Sequence, residues 1–403
     1  KQKTAYEIRL SLVGSEMCIR DRLKSLGFKD VICYQPRRLS QGYGVHVESV
    51  QDIYERGASV LLTVDVGITA FEALEKAKVL GIDVVITDHH LPGAVLPPAF
   101  AVINPNQKGC DSRLGHLSGV GVGFYFLLGL KRALKQKGFL LGEVDLKELL
   151  DFFVIGTITD MVPLIEENRV LVRHGLEKLK NTQRPGLMQL LKRLGLYQQP
   201  MFSHDVAMTL APKLNSLSRM DMDLLPLEVL LAETIDRAEE MIDVIFETND
   251  QRRALQLKAD LMASEMAGKL MIEHPDAQCV WVYSSEFHKG IVGLVATKLA
   301  QEFSVPAFVG HLSESGKIQG SARLPDGSEL SLVEVLSLAS ECLDKFGGHA
   351  QAAGFTVKAE MGEIFREKLI KATSGLQMTS LIPRSHFDLD FEIDCDIDDV
   401  TPQ

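Results

Sequence analysis

The chain has 403 residues, 46% of them hydrophobic, and a formal net charge of −11 at pH 7. That length suits two or three domains with sizeable cores, and the acidic balance counts against a surface coated in nucleic acid while leaving room for a local basic groove. No apolar run reaches membrane-spanning length and no signal peptide is legible; six scattered cysteines without a CxxC pair argue against structural zinc or a disulfide framework and fit a reducing, cytoplasmic setting.

Residues 1–22, KQKTAYEIRLSLVGSEMCIRDR, do not share the pattern of the rest of the chain. They hold no initiator Met and no clear strand ending in an acid, and their only acids are Glu7, Glu16 and Asp21. The run resembles translated sequencing-adapter sequence and is expected to be a non-native segment; a divergent N-terminal helix is the alternative. From Leu23 the pattern is that of an α/β protein. Residues 31–44, VICYQPRRLSQGYG, read as a strand followed by a polar loop. Arg37 and Arg38 in that loop suit either phosphate contact or plain solvation.

Residues 60–92, VLLTVDVGITAFEALEKAKVLGIDVVITDHHLP, are the centre of the sequence. Two β-rich apolar runs, VLLTV and DVVIT, flank one amphipathic segment over 70–81. This spacing predicts a βαβ unit. Asp65 closes the first strand and Asp88 the second, so both acids fall on the carboxyl edge of a parallel sheet, where open α/β folds build their sites. His89 and His90 follow Asp88 directly. Strand-end carboxylates beside imidazoles are the donor set of a divalent metal; the competing reading is a surface turn with two chance histidines.

Further along, AVINPNQKGC predicts another strand end, and LSGVGVGFYFLLGLKRAL a buried helix opened by Gly119, Gly121 and Gly123. Those glycines open an apolar helix and are read as close-packing positions, not as a dinucleotide site. FFVIGTITDMVPL, at 152–164, is an apolar run with Asp160 after it. Asp160 is either a cap or a further metal ligand. MTLAPKLNSLSRM, at 208–220, ends near Arg219 and is expected to form a loop. From about Ile235 to Ile272 apolar residues recur at three and four spacing, which predicts one long helix carrying Arg252 and Arg253. Charge alone leaves those arginines open between a solvated face and a nucleic-acid contact. Residues 275–375 read as a second α/β unit: a strand CVWVYS, a helix GIVGLVATKLAQEF and a strand PAFVGHL. GSARL supplies Ser321 and Arg323, and FGGHAQAAGF supplies Gly347, Gly348 and His349; backbone N–H groups, an imidazole and a guanidinium together suit phosphate. A small-residue turn that allows close packing is the alternative.

TVDVGI followed by TDHH, GTITDMVPL, APKLN, the Asn-x-x-Arg-Arg element at 249–253 and GGHAQAAG together resemble the DHH phosphoesterases, in particular the RecJ-type single-stranded-DNA exonucleases. The resemblance runs from about Leu23 to the end. It implies an α/β fold in which a parallel-sheet DHH domain (23–234) is joined by a long helix (235–274) to a smaller α/β DHH-associated substrate-binding domain (275–378). It implies that the family's first strand, with its Asp-rich first motif, is missing from residues 1–22, and that 379–403, which ends in HFDLDFEIDCDIDDVTPQ, is the truncated start of an OB-fold-like domain. The implied metal ligands are Asp65, His89 and Asp160, with two Mn²⁺ or Mg²⁺ ions in a complete site. Asp88 would orient a histidine, and His90 would contact the scissile phosphate. Arg219, Ser321, Arg323, Gly347, Gly348, His349, Arg252 and Arg253 would hold substrate. The implied activity is 5′ to 3′ release of 5′-mononucleotides from single-stranded DNA. Single-strand-binding protein and a helicase are the implied further partners, and no membrane is involved. Two other readings remain: a DHH enzyme acting on short RNA or cyclic dinucleotides, and a single-strand-binding scaffold with an incomplete metal site.

Overall fold

Short runs of β-branched and aliphatic residues become the strands of this protein, as expected for a sheet covered on both faces. The computed structural model describes residues 5–9, 22–34, 44–139, 144–220, 222, 224, 226–275, 277–328, 330–348 and 350–373. Arg37, Arg38, His349 and the expected OB-fold-like stretch 379–403 lie outside those residues. Within the described part the chain divides into two compact units, Lys1–Ala254 and Leu255–Gln403.

In the first unit β1 (Ala5–Arg9), β2 (Val31–Tyr34), β3 (Val60–Val64), β4 (Asp83–Thr87) and β5 (Ala101–Ile103) form one sheet in the order β2-β1-β3-β4-β5. Every pairing in it is parallel. Here the sequence expectation needs correction. The first strand is not missing: AYEIR pairs with β3 from Ala5↔Val60 to Arg9↔Val64 and with β2 on its other side. The backbone of this short run fills the ladder between two strands, and the absence of a terminal acid has no bearing on strand pairing.

Helices α1 (Val47–Glu55) and α2 (Phe71–Val79) build one core with the sheet, in which Ile53, Leu61, Leu74 and Ile86 are fully buried. A larger core gathers α3 (Gly119–Gln136), α4 (Leu150–Thr159), α5 (Glu166–Lys180), α6 (Pro185–Arg193), α7 (Ala211–Arg219) and α8 (Pro226–Leu230). Small residues set the helix spacing: a Cβ on Gly156 would lie 2.7 Å from Val120 Cγ1, so α4 and α3 touch there. APKLNSLSR is helical, which corrects the expected loop. A π-helical turn, Asp205–Leu210, feeds α7, and burial of Leu214 and Leu217 on one face fixes it as a helix.

The long predicted helix is present as α9 (Ile235–Glu273). Its first part places Ala238, Met241, Ile242 and Ile245 in the core of the first unit. Its last part places Ala259, Ala263 and Ala267 in a core of the second unit. That second unit has β6 (Val280–Ser284), α10 (Val292–Phe303), β7 (Ala307–Leu312), β8 (Lys317–Arg323), α11 (Leu332–Leu338), β9 (Leu343–Gly348), β10 (Ala352–Lys358) and α12 (Gly362–Thr373). Its mixed sheet runs β6-β7-β8-β10-β9, parallel only between β6 and β7. Among the described residues no helix is long and apolar enough to cross a membrane.

Candidate metal centre

The carboxyl ends of β3 and β4 are stitched together by their own side chains. Thr87 Oγ1 donates to the Thr63 carbonyl at 2.8 Å, Thr63 Oγ1 donates to the Val66 carbonyl at 2.7 Å, and the Asp65 N–H bonds the Thr87 carbonyl at 2.7 Å. Gly67, at φ 115°, completes the turn; a Cβ there would sit 2.8 Å from Thr63 Oγ1. Asp65 itself has φ 62°, a left-handed conformation that a non-glycine residue adopts at a cost of order 1–3 kcal/mol. Its carboxylate is buried against the first residue of α3: a Cβ on Gly119 would lie 2.1 Å from Asp65 Cγ. The partial positive charge of the helix N-terminus faces that carboxylate.

Asp88 is the organiser of the centre. It is 1% exposed, and its two oxygens accept from the backbone N–H groups of Ile68, His89 and His90 at 3.0, 2.8 and 3.1 Å. It also accepts from His90 Nδ1 at 2.7 Å. That bond sets the orientation of the His90 ring. The same hydrogen bond raises the His90 pKa; burial opposes it, and the charges of Asp88 and Asp65 add to the rise.

His89 Nε2 lies 3.1 Å from Asp65 Oδ1 and 3.3 Å from Asp160 Oδ2. Burial pushes its pKa down, but the hydrogen bond to Asp65 and the charges of Asp65, Asp160 and Asp88 win, and the pKa stands at about 9. Donor atoms of Asp65, His89 and His90 all lie within 4.8 Å of one another. Asp160 reaches them from the C-cap of α4. Two carboxylates and an imidazole converging on one buried point form a donor set suited to a divalent ion.

Several positioning residues carried no local signal in the sequence. Asn104 Nδ2 donates to the His90 carbonyl at 2.8 Å and Asn106 Nδ2 to the His89 carbonyl at 2.6 Å. Asn168, fully buried, donates to the carbonyls of His116 and Pro163 at 2.7 and 3.0 Å and pins the segment after Asp160. Met161 and Glu166 in that segment also have positive φ, 54° and 43°. The Asn-Pro-Asn after β5 was the one available cue, because it stands on the same sheet edge as the acids.

The remaining predicted residues fall in two groups. In the first unit Arg219 ends α7, while Arg252 and Arg253 lie in α9, where Arg252 Nη2 donates to Asn249 Oδ1 at 2.9 Å. In the second unit Ser321, Arg323, Gly347 and Gly348 are brought together by register: β10 pairs Ala352↔Arg323 and Gly354↔Ser321 on one side and Gly354↔Gly347 and Ala353↔Gly348 on the other. The Gly-Gly pair is therefore strand rather than turn. β9 is an edge strand, so half of its backbone groups face outward and remain available to a ligand. A Cβ on Gly293 in the first turn of α10 would meet Arg323 Nη2 at 3.1 Å and Ser321 Oγ at 3.4 Å, so a helix start adjoins these side chains.

Residues 12–157 match the DHH family, N-terminal domain, and residues 276–375 match the DHHA1 domain. The chain is 38% identical over 370 residues to the single-stranded-DNA-specific exonuclease RecJ of Bacillus subtilis, covering 91% of this chain and 44% of that protein. It is 32% identical over 354 residues to the RecJ of Escherichia coli, covering 86% of this chain and 61% of that protein. The chain thus spans about half the length of the relatives it matches. A crystal structure of exonuclease RecJ bound to manganese superposes with a TM-score of 0.76 at 28% identity, over 93% of this chain and 91% of that one. With both domains in sequence and the matching architecture, the chain belongs to the DHH family, in its RecJ-type arrangement of a DHH domain followed by a DHHA1 domain.

Proposed function

We propose that this chain is a metal-dependent phosphodiesterase that removes 5′-mononucleotides from single-stranded DNA in the 5′ to 3′ direction, in DNA repair and recombination. The observation that carries this reading is the convergence of Asp65, His89 and Asp160 beside a His90 whose ring is held by Asp88. Oxygen and imidazole donors suit Mn²⁺ or Mg²⁺, and the imidazole favours Mn²⁺. The manganese in the matched RecJ structure supports the same choice. We assign one ion to Asp65, His89 and Asp160. A second ion would need carboxylates from the Asp-rich motif, for which residues 1–22 offer only Glu7, Glu16 and Asp21.

When bound, the ion lowers the pKa of a coordinated water and offsets charge on the phosphodiester. The protein supplies the positioning. His90, protonated beside Asp88, presents Nε2–H to a phosphate oxygen. Asp88 keeps that imidazolium charged and oriented without meeting the ion itself. Ser321, Arg323 and an outward backbone N–H of the Gly347–Gly348 pair hold a phosphate of the strand in the DHHA1 domain, with Arg219 as a further cation of the DHH domain. Single-strand-binding protein and a helicase are the proposed partners.

The absent Asp-rich motif favours a second reading, a single-strand-binding scaffold with an incomplete centre. One assay separates the two: Mn²⁺-dependent release of mononucleotides from 5′-labelled single-stranded DNA, run on the chain and on Asp160→Ala. The enzyme reading expects release that falls by roughly a thousandfold or more in the variant, with strand binding unchanged. Strand binding without release from the unsubstituted chain would select the scaffold. Turnover retained in the variant would remove Asp160 from the centre.

A further inference from the structure

The candidate centre draws its two carboxylates from separate elements. Asp65 follows β3 and lies against Gly119, the first residue of α3, whereas Asp160 caps the far end of α4. Their separation therefore follows from how α4 sits on the start of α3. Gly156 and Val120 bring the two helices into contact, because a Cβ on Gly156 would lie 2.7 Å from Val120 Cγ1. Such a contact sets the distance between the helices. It does not set their register, because apolar burial has no preferred direction. Register needs a directional bond.

One stands at this point. Ser118 Oγ and Thr157 Oγ1 lie 3.1 Å apart, in residues 1% and 0% exposed. Ser118 is the N-cap of α3 and accepts the Gly121 N–H at 3.3 Å, so its oxygen is fixed beside Gly119. Thr157 stands one turn before Asp160 in α4. A second tie closes the other side of Asp160. His116 Nε2 lies 2.9 Å from Glu167 Oε2, and Asn168 Nδ2 donates to the His116 carbonyl at 2.7 Å. Residues 116–118 thus hold the chain both before and after Asp160. The His116–Glu167 pair is partly exposed, so solvent screens it. A hydrogen bond between two buried hydroxyls keeps its full strength, and neither hydroxyl can turn to water instead.

We propose that Ser118 and Thr157 are positioning residues for the metal centre. Their hydroxyl pair locks the register of α4 on α3, and with it the spacing of Asp65 and Asp160 about His89. The inference rests on the metal centre proposed above and assigns to it two residues that act through Asp65 and Asp160. A pair that only filled space between helices would make metal affinity follow side-chain volume. Thr157 allows the two roles to be separated, because its hydroxyl and its methyl can be removed one at a time. Thr157→Val keeps the branched shape and loses the hydroxyl, whereas Thr157→Ser keeps the hydroxyl and loses a buried methyl.

The test titrates Mn²⁺ into the full chain by calorimetry at one pH and records the melting temperature of each metal-free protein. Thr157→Val is compared with Thr157→Ser and with Ser118→Gly, which removes the other hydroxyl while leaving a residue tolerated at an N-cap. Lys178→Met is the control. It breaks a different helix contact, the surface pair of Lys178 in α5 with Glu148 at 2.7 Å. Thr157→Val and Ser118→Gly should each bind Mn²⁺ roughly tenfold more weakly. Thr157→Ser should bind it as the unsubstituted chain does, despite a lower melting temperature from the lost methyl. Lys178→Met should leave Mn²⁺ affinity unchanged. Unchanged affinity in a folded variant that lacks either hydroxyl would overturn this inference and leave the centre standing. Affinities that fall in both Thr157 variants in step with their melting temperatures would also overturn it, because volume and not the hydroxyl would then set the register. A chain that binds no Mn²⁺ would overturn the centre together with this inference.

Discussion

In the proposed centre, His89 is the residue at which protons and metal would compete. Its Nε2 lies 3.1 Å from Asp65 Oδ1 and 3.3 Å from Asp160 Oδ2, so a protonated ring faces two carboxylates. The folded pKa of about 9 stands above the ordinary 6.5. A pKa raised by folding means that protonation of His89 stabilises the fold fully below about 6.5 and that this contribution is lost as the pH rises through about 9. An ion on Nε2 requires the neutral ring, so binding must expel that proton. Mn²⁺ affinity should therefore rise by up to roughly tenfold per pH unit below about 9 and level off above it. Calorimetric titration with Mn²⁺ from neutral pH to beyond this value checks it, together with the proton released into buffers of different ionisation enthalpy. A flat profile with no proton release would mean that the ion avoids His89.

At the scale of elements, the centre depends on how closely the start of α3 approaches the end of β3. Gly119 lies directly against Asp65; the space a Cβ would need is already the Asp65 carboxylate, 2.1 Å from its Cγ. Asp65 cannot retreat easily, because its N–H is tied to the Thr87 carbonyl and its φ is already left-handed. Gly119→Ala should therefore cost about 1–3 kcal/mol of stability. It should weaken Mn²⁺ binding by on the order of a hundredfold, a larger effect than a change in fold stability alone would give, because the carboxylate itself must move. Melting curves and calorimetry on the variant measure both; wild-type Mn²⁺ affinity would show that the helix start yields instead. This contact also marks where the sequence stops being legible. Asp65, Asp88, His89, His90 and Asp160 can be read from the chain because each interrupts or ends an apolar run, and a polar residue at such a point has few reasons to be there. The βαβ unit and α9 are legible for the same reason, a clean period over enough residues. Gly119 against Asp65, Asn104 and Asn106 under the two histidines, and Asn168 on the His116 carbonyl join positions 14 to 54 residues apart with no shared local pattern. The strand at Ala5–Arg9 and the helix through Leu217 run against motif expectations, because pairing partners and burial on one face decide the outcome.

At the scale of the whole chain, stability is divided between cores that do not share residues. The candidate metal centre belongs to the first unit. The second unit has its own sheet with separate cores on its two faces, one built on Phe308, Phe355 and Phe365 and the other on Val295, Leu299 and the alanines of α9. The single tryptophan of the chain, Trp281, sits in the second unit with its Nε1 donating to the Gly362 carbonyl at 3.1 Å and its ring 5.1 Å from that of Phe365. Tryptophan emission therefore reports the second unit alone, whereas far-ultraviolet circular dichroism reports both. An ion that binds only the folded first unit stabilises that unit by about 2.7 kcal/mol at a hundred times its Kd. For a unit of this size that corresponds to a rise of roughly 5–10 °C in melting temperature. Adding Mn²⁺ should then shift one phase of the dichroism melt upward by that amount and leave the Trp281 transition within about 1 °C of its metal-free position. The continuous α9, which contributes to both cores, is the element through which this separation would fail. If emission and dichroism moved upward together, unfolding of the first unit would be shown to carry the second with it through that helix. The chain would then unfold as one cooperative body, with the metal centre stabilising the DHHA1 domain as well as its own.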